Sequence, residues 1–297
     1  MNDRREHIAD LLQRTSRTFA LAIPLLPEPL RHEVGVGYLL FRIADTLEDA
    51  ELLGRDSRIR ELGRFIELLG DPSDAAAAEA AQVWRESPVS TETEYNRLLA
   101  ETGAVCAELR GLDPGAAELL KRHVVRSTLG MAETLRRADN DAAFEFGTLD
   151  ELRTYCYYVA GIVGEMLTGL FHRSLKPSPA RDALAADAAA FGEGLQLVNI
   201  LKDAADDARD GRVYLPEAID RRQVIAIARE NLAAAERYAD HLTAAGAEPG
   251  VVAFVTLPRI LADATLDLIQ QGEGVKVSRD VVAAKVAEAL AAAGAAP

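Results

Sequence analysis

Residues 30–51 read "LRHEVGVGYLLFRIADTLEDAE". An apolar run enters a cluster of carboxylates without a break. On a helix, positions i, i+3 and i+4 share a face. Asp45, Glu48 and Asp49 therefore project together, and the same rule carried backward adds Arg42 and Tyr38. Val34, Leu39, Leu40, Phe41 and Ile43 surround that stripe with apolar side chains. A helix that is apolar nearly all round belongs in a core. A polar stripe on it must face a cavity or other polar groups, because a lone buried carboxylate is costly.

The pattern recurs far along the chain, in "QLVNILKDAADDARDGR", residues 196–212. Gln196, Asn199, Asp203 and Asp207 fall on one face, with Asp206 beside them. Leu195, Leu197, Val198, Ile200 and Leu201 make the flanks apolar again. Carboxylates gathered on one face repel one another unless a cation joins them. Magnesium takes oxygen ligands, keeps several waters and binds through one or two carboxylates plus substrate phosphates. Two such helices facing each other would hold magnesium ions with a diphosphate between them. One DxxED on a helix is ordinarily a solvated face or a cap; the repetition, with Arg, Gln and Asn on the stripes, favours a metal site. The candidate ligands are Asp45, Glu48, Asp49, Asp203, Asp206 and Asp207. No D-x-[DN]-x-[DN]-G loop is present, so this is not an EF-hand.

The bulk composition agrees with helices. The 297 residues are 49% hydrophobic but only 5% aromatic, and they are rich in alanine, a strong helix former. A net charge of -14 argues against nucleic acid as a partner. An anionic substrate would need a local cation. Cys106 and Cys156 form no CxxC pair and read as buried thiols in a reducing cytosol. The charged N-terminus lacks a signal-peptide core, and no run of about 18 apolar residues would span a membrane.

Periodicity and breakers predict helices over 4–22, 30–53, a stretch beginning near 70–81, 92–110, 115–138, 149–173, 180–209, 221–245, 249–272 and 278–293. Asp71 and Ser73 are capping candidates, and Thr148 with Glu151 fits a capping box. No stretch alternates strictly enough for a strand. The expectation is one all-α domain over residues 1–297.

Three segments are recognisable. "SRTFALAIPLLPEPLRHEVGVGYLLFRIADTLED" (16–49), "YCYYVAGIVGEMLTGLF" (155–171) and "QLVNILKDAADDARDGRVYLP" (196–216) resemble the two aspartate regions and central helix of the squalene and phytoene synthases. DTLED, "FVTLP" (254–258) and "VKVS" (275–278) look most like the squalene synthase branch. The resemblance implies an isoprenoid synthase fold with helices around a central apolar cavity. It implies head-to-head joining of two allylic diphosphates, with magnesium and NADPH as cofactors. Farnesyl diphosphate is the implied substrate and squalene the product. Asp45, Asp49, Asp203 and Asp207 would bind magnesium. Ser16, Thr18 and Arg42 match positions near the diphosphate or its flap. Tyr158 matches a tyrosine that stabilises cations or takes a proton, and Tyr38 matches another cavity tyrosine. Gln196 and Asn199 match polar cavity residues, Arg212 a diphosphate-side cation, and Phe254 and Pro258 cavity-wall positions. Lys202 stands where arginine is frequent, which loses the bidentate fork. Asp206 stands where glutamate is common.

Other readings stay open beside this one. The same condensation without reduction would give dehydrosqualene, phytoene or presqualene diphosphate. A different prenyl length would be gated by residues such as Phe41 and Leu170. A non-catalytic assembly protein on the same fold would be expected to have eroded aspartates. The expected location is cytoplasmic with peripheral membrane contact open, and the expected state is monomer or homodimer. Gly161 and Gly164 are costly inside a helix and imply close packing or close substrate approach. Glu165 reads as a supporting base or an arginine partner, His123 and His172 as surface or cap residues, and Trp84 as core. No GxGxxG follows a strand, so NADPH would have to bind on a helical surface.

Overall fold

The stretch ending in the first acidic patch is helical in the computed structural model. The structure describes residues 2–16, 18–137, 144–209, 212–216, 219–272 and 275–294, with side chains from residue 5 onward except those of Phe144 and Arg212. The helices run α1 (Asn2–Thr15), α2 (Phe19–Ala22), α3 (Leu30–Glu48), α4 (Arg55–Gly70), α5 (Asp74–Glu86), α6 (Thr93–Ala100), α7 (Thr102–Gly111) and α8 (Pro114–Arg137). They continue as α9 (Leu149–Cys156), α10 (Ile162–Ser174), α11 (Pro179–Arg209), α12 (Arg221–Ala244), α13 (Pro249–Gln271) and α14 (Arg279–Ala292). A 3₁₀ turn spans Ile23–Leu25 and a π-helical turn spans Tyr157–Gly161. The chain divides into two units, Met1–Ile23 with Glu28–Asp141, and Pro24–Pro27 with Ala142–Pro297.

The first unit is built around α3. Val34, Val36, Leu39, Leu40, Ile43, Ala44 and Leu47 are buried on several sides of it, as an all-round apolar helix requires. Helices α1, α4, α7 and α8 pack on it. The helix stops at Glu48 rather than at residue 53, where the Asp49 amide bonds Asp45 O at 2.8 Å. Arg58 Nη1 donates to the Glu48 carbonyl at 3.2 Å, placing a cation at the helix C-terminus where the backbone dipole favours one. The expected first helix is two, α1 and α2; Ser16 Oγ accepts from Ala20 N at 3.2 Å. The expected 92–110 helix also breaks, at Glu101, into α6 and α7. Helix α4 had no counterpart in the periodicity reading. Ser73 caps α5 by accepting from Ala76 N. Trp84 is core, and its indole donates to the buried Glu61 carboxylate at 3.1 Å.

The second unit is built around α11, against which α9, α10, α12 and α13 pack. The Thr148–Glu151 capping box opens α9 as expected. Two carbonyl–glycine contacts fix the approach of the π-helical turn and α10 to α11. A Cβ on Gly164 would overlap the Ala188 carbonyl, and a Cβ on Gly192 would overlap the Ala160 carbonyl. Of the two explanations for Gly164, close helix packing is the one observed. Thr168 Oγ1 donates to Gly164 O at 2.9 Å, so Tyr238 OH, 2.7 Å away, donates to Thr168. Tyr238 is fully buried and stacked on Phe191 with centroids 5.8 Å apart.

One departure from an all-helical chain is a parallel ladder of two residues each, β1 (Phe144–Glu145) and β2 (Arg212–Val213). Strands this short show no alternation to detect. Phe146, Tyr155 and Tyr214 form an aromatic cluster beside the ladder, the two tyrosines stacked at 5.5 Å. That cluster ties down the segment following the second acidic patch.

Because the overlaps at Gly164 and Gly192 are with backbone, no side-chain rotation relieves them. Gly164→Ala or Gly192→Ala is expected to destabilise folding by about 1–3 kcal/mol or more. Gly63→Ala, at a glycine with nothing nearby, serves as the contrast and should be neutral or slightly stabilising. Thermal or urea unfolding of the three variants checks this; equal midpoints would contradict it.

Candidate active site

The first patch is a connected network within its own unit. Tyr38 OH donates to Thr15 O at 3.1 Å, and Arg42 Nη2 donates to Tyr38 OH at 2.9 Å. Arg42 Nη1 lies 3.5 Å from Asp45 Oδ2. Thr46 Oγ1 bonds the Arg42 carbonyl at 2.8 Å. The spacing rule that joined Tyr38, Arg42 and Asp45 in the sequence thus holds in space. Phe19 packs its ring against Tyr38 at 5.6 Å. Ser16 and Thr18, half-buried, sit where α1 gives way to α2, and Ser16 Oγ accepts from Ala20 N.

The electrostatics set the character of this patch. Burial works against charge on Arg42, yet Tyr38 and Asp45 more than offset it, and the guanidinium stays firmly protonated. Asp45 rises from 3.8 to about 6: enclosure by protein raises it, Arg42 pulls it down, and the neighbouring Asp49 pushes it up again. Its side chain nevertheless keeps 33% of its surface accessible. A carboxylate that is partly desolvated, beside a second acid and still reachable, gains from a hard cation. Glu48 is buried and Asp49 exposed.

The second patch is wetter. Asp203 pairs with Lys202 at 3.2 Å, and Lys202 also donates to Asn199 Oδ1 at 3.2 Å. Asp203 is 46% exposed and Asp206 72%, the latter ion-paired with Arg209. Gln196 and Asp207 are half-buried and Asn199 exposed. The Arg212 side chain lies outside the described ones.

Tyr158 is half-buried in the π-helical turn, its ring 5.9 Å from that of Tyr157. Such turns add a residue to a helix and recur at functional sites. Tyr157 OH donates to Glu165 Oε1 at 3.0 Å, reaching two turns along the helix. Gly161 lies beneath it; a Cβ there would meet the Tyr157 ring at 2.8 Å. Phe254 is fully buried, edge-on to Phe171 at 6.2 Å, and Pro258 is buried within α13. Both belong to the packed interior of their unit.

Among the described residues no three His, Cys, Asp or Glu side chains are grouped to hold a metal by themselves. The acids nonetheless suit magnesium, which needs only one or two carboxylates when substrate phosphates and water complete its shell. No described helix is long and apolar enough to cross a membrane. Burial pushes the Cys106 thiol up to about 11 and raises that of Cys156, so neither is a ready nucleophile. His123, expected at the surface or as a cap, is buried with Nδ1 2.8 Å from Leu119 O. The face of α8 that carries it also carries Leu120, Val124 and Ser127, all buried. The reading of α3 alone missed Tyr95 on α6, whose ring faces Arg42 at 5.9 Å. No spacing within α3 points to it.

Asp45 holds its proton more tightly folded than unfolded, so its contribution to stability falls as pH rises from about 4 to about 6. Asp45→Asn removes that penalty. Its melting temperature without magnesium is expected to exceed that of the wild type at about pH 7.5, with the gap closing below about pH 4. A lower melting temperature at neutral pH would contradict this.

Comparison with known proteins shows the family of the chain. The squalene/phytoene synthase family model matches residues 12–224. A squalene synthase of Schizosaccharomyces pombe is 31% identical over 212 residues, covering 70% of this chain and 43% of that protein. One from Eremothecium gossypii is 30% identical over 286 residues, covering 89% and 62%. The chain spans about half the length of such relatives. The solved complex of TcSQS with the ligand BPH1237 superposes with a TM-score of 0.77 at 27% identity, covering 97% of this chain and 86% of that one. The chain belongs to the squalene/phytoene synthase family.

Proposed function

We propose that this chain is a squalene synthase-like prenyltransferase that condenses two farnesyl diphosphates head to head, through presqualene diphosphate, to squalene. The observation that carries this is the Tyr38–Arg42–Asp45 network: a held cation beside a carboxylate raised to about 6, on an otherwise apolar helix. Asp45, Glu48 and Asp49 on one unit, and Asp203, Asp206 and Asp207 on the other, are the residues that would hold magnesium. Bound magnesium neutralises charge on the departing diphosphate. Arg42 offers fixed N–H donors to diphosphate oxygens and costs no reorganisation when charge develops there. Ser16, Thr18, Gln196, Asn199, Lys202 and Arg212 would orient the polar ends of the substrates. Phe254 and Pro258 would keep the neighbourhood of the prenyl chains apolar. Tyr158, steadied against Tyr157, would face the carbocation or accept its proton.

The bond changes follow from the substrates. One farnesyl diphosphate loses diphosphate to give an allylic cation, and the 2,3 double bond of the second attacks it. Proton loss closes a cyclopropane. Loss of the second diphosphate and rearrangement would leave a cation, and NADPH, if bound, would supply the hydride that reduces it to squalene. An apolar, water-poor surrounding is needed because water would trap the cations. No residue of this chain is assigned to NADPH.

Incubation with farnesyl diphosphate and magnesium, followed by mass analysis of the lipid extract, tests the reading. Squalene is expected with NADPH and not without it. Dehydrosqualene, phytoene or presqualene diphosphate in both arms would replace the product assignment, and no condensation at all would overturn the function.

A further inference from the structure

The sequence stripes leave one side chain of the first patch unaccounted for. Tyr95, half-buried on α6, presents its ring to the Arg42 guanidinium at 5.9 Å, while Tyr38 covers it at 5.5 Å. Two aromatic rings from different helices of the same unit therefore lie against Arg42. Its Nε–H is buried and finds no acceptor. An unmet buried donor is costly, and ring faces are a recognised way to stabilise a desolvated cation.

Helix α6, which carries Tyr95, makes contacts with α1 and with the segment before it. Its neighbour Glu94 lies 3.7 Å from Arg14 on α1, and Arg97 lies 3.6 Å from Asp10 on the same helix. Asn96 Oδ1 accepts from Val89 N and Ser90 N, anchoring the segment before α6. Tyr95 thus stands on a helix braced on both sides.

A guanidinium next to a carboxylate ordinarily closes into short, often bidentate hydrogen bonds of about 2.7–2.9 Å. Here Arg42 Nη1 stays 3.5 Å from Asp45 Oδ2, and its shorter bond goes to Tyr38 OH. We infer that Tyr95 is a positioning residue that, with Tyr38, holds Arg42 off Asp45. The carboxylate oxygens then remain available to a divalent cation, and Arg42 keeps donors for a diphosphate. This rests on the function proposed above. Without the Tyr95 ring, Arg42 is free to collapse onto Asp45 and occupy the oxygens that a metal needs.

The test compares Tyr95→Leu and Tyr95→Phe with wild type. The readouts are calorimetric titration of inorganic diphosphate in magnesium, the magnesium dependence of turnover, and melting temperature. Tyr95→Leu is expected to weaken magnesium-dependent diphosphate binding about tenfold and to raise the magnesium needed for half-maximal turnover. Tyr95→Phe, which keeps the ring, should restore both. Wild-type behaviour of Tyr95→Leu, or an equal defect in Tyr95→Phe, would overturn the positioning role. So would a loss that only tracks a fallen melting temperature. If wild type neither binds diphosphate with magnesium nor turns over, the functional reading fails and the positioning role fails with it.

Discussion

The structure of the first unit depends on one constraint: a cation and a carboxylate are placed on an apolar helix that is buried on most sides. Arg42 and Asp45 are half-buried, not surface groups, so each must find compensation. Arg42 finds it in Tyr38, Tyr95 and Asp45. Asp45 finds it only in part, because Arg42 does not close on it and Asp49 opposes it. That incomplete compensation is costly to the isolated chain and favourable to a chain that binds a divalent cation. Marginal stability at a site of this kind is the usual cost of preorganised function.

The two acidic patches differ physically although their sequences look alike. The first is enclosed, and its charges are ordered by aromatic and backbone contacts. The second leaves Asp203 and Asp206 46% and 72% exposed, paired with Lys202 and Arg209, while Asp207 is half-buried. Exposed ion pairs of this sort contribute little to stability. Their lysine and arginine are therefore cheap to redirect toward an anionic ligand, whereas moving Arg42 means breaking a packed arrangement. Under the proposed function, the enclosed patch would orient a diphosphate and the more exposed one would adapt to it.

Most of the helices were legible because long periodic segments bounded by proline, glycine and capping residues leave little choice. The capping box at Thr148 and the helix over 180–209 are examples, found within a residue of their expected bounds. Helix ends set by distant groups were not legible: α3 stops where Arg58 meets its last carbonyl, and no signal at residue 48 announces it. The two-residue ladder was too short to show a period. At the site, Tyr38, Arg42 and Asp45 were readable because one helix carries them all. Tyr95 was not, since it reaches the same guanidinium from α6 and only tertiary packing brings it there. Gly164 was readable as costly, but its cause, the Ala188 carbonyl, lies on another helix.

The central claim is that both acidic stripes serve the release of diphosphate. The direct measurement is magnesium-dependent release of diphosphate from farnesyl diphosphate by wild type, Asp45→Ala and Asp203→Ala, each shown to be folded. The account predicts that either substitution nearly abolishes release. Near-normal release by either variant, with magnesium present, would contradict it.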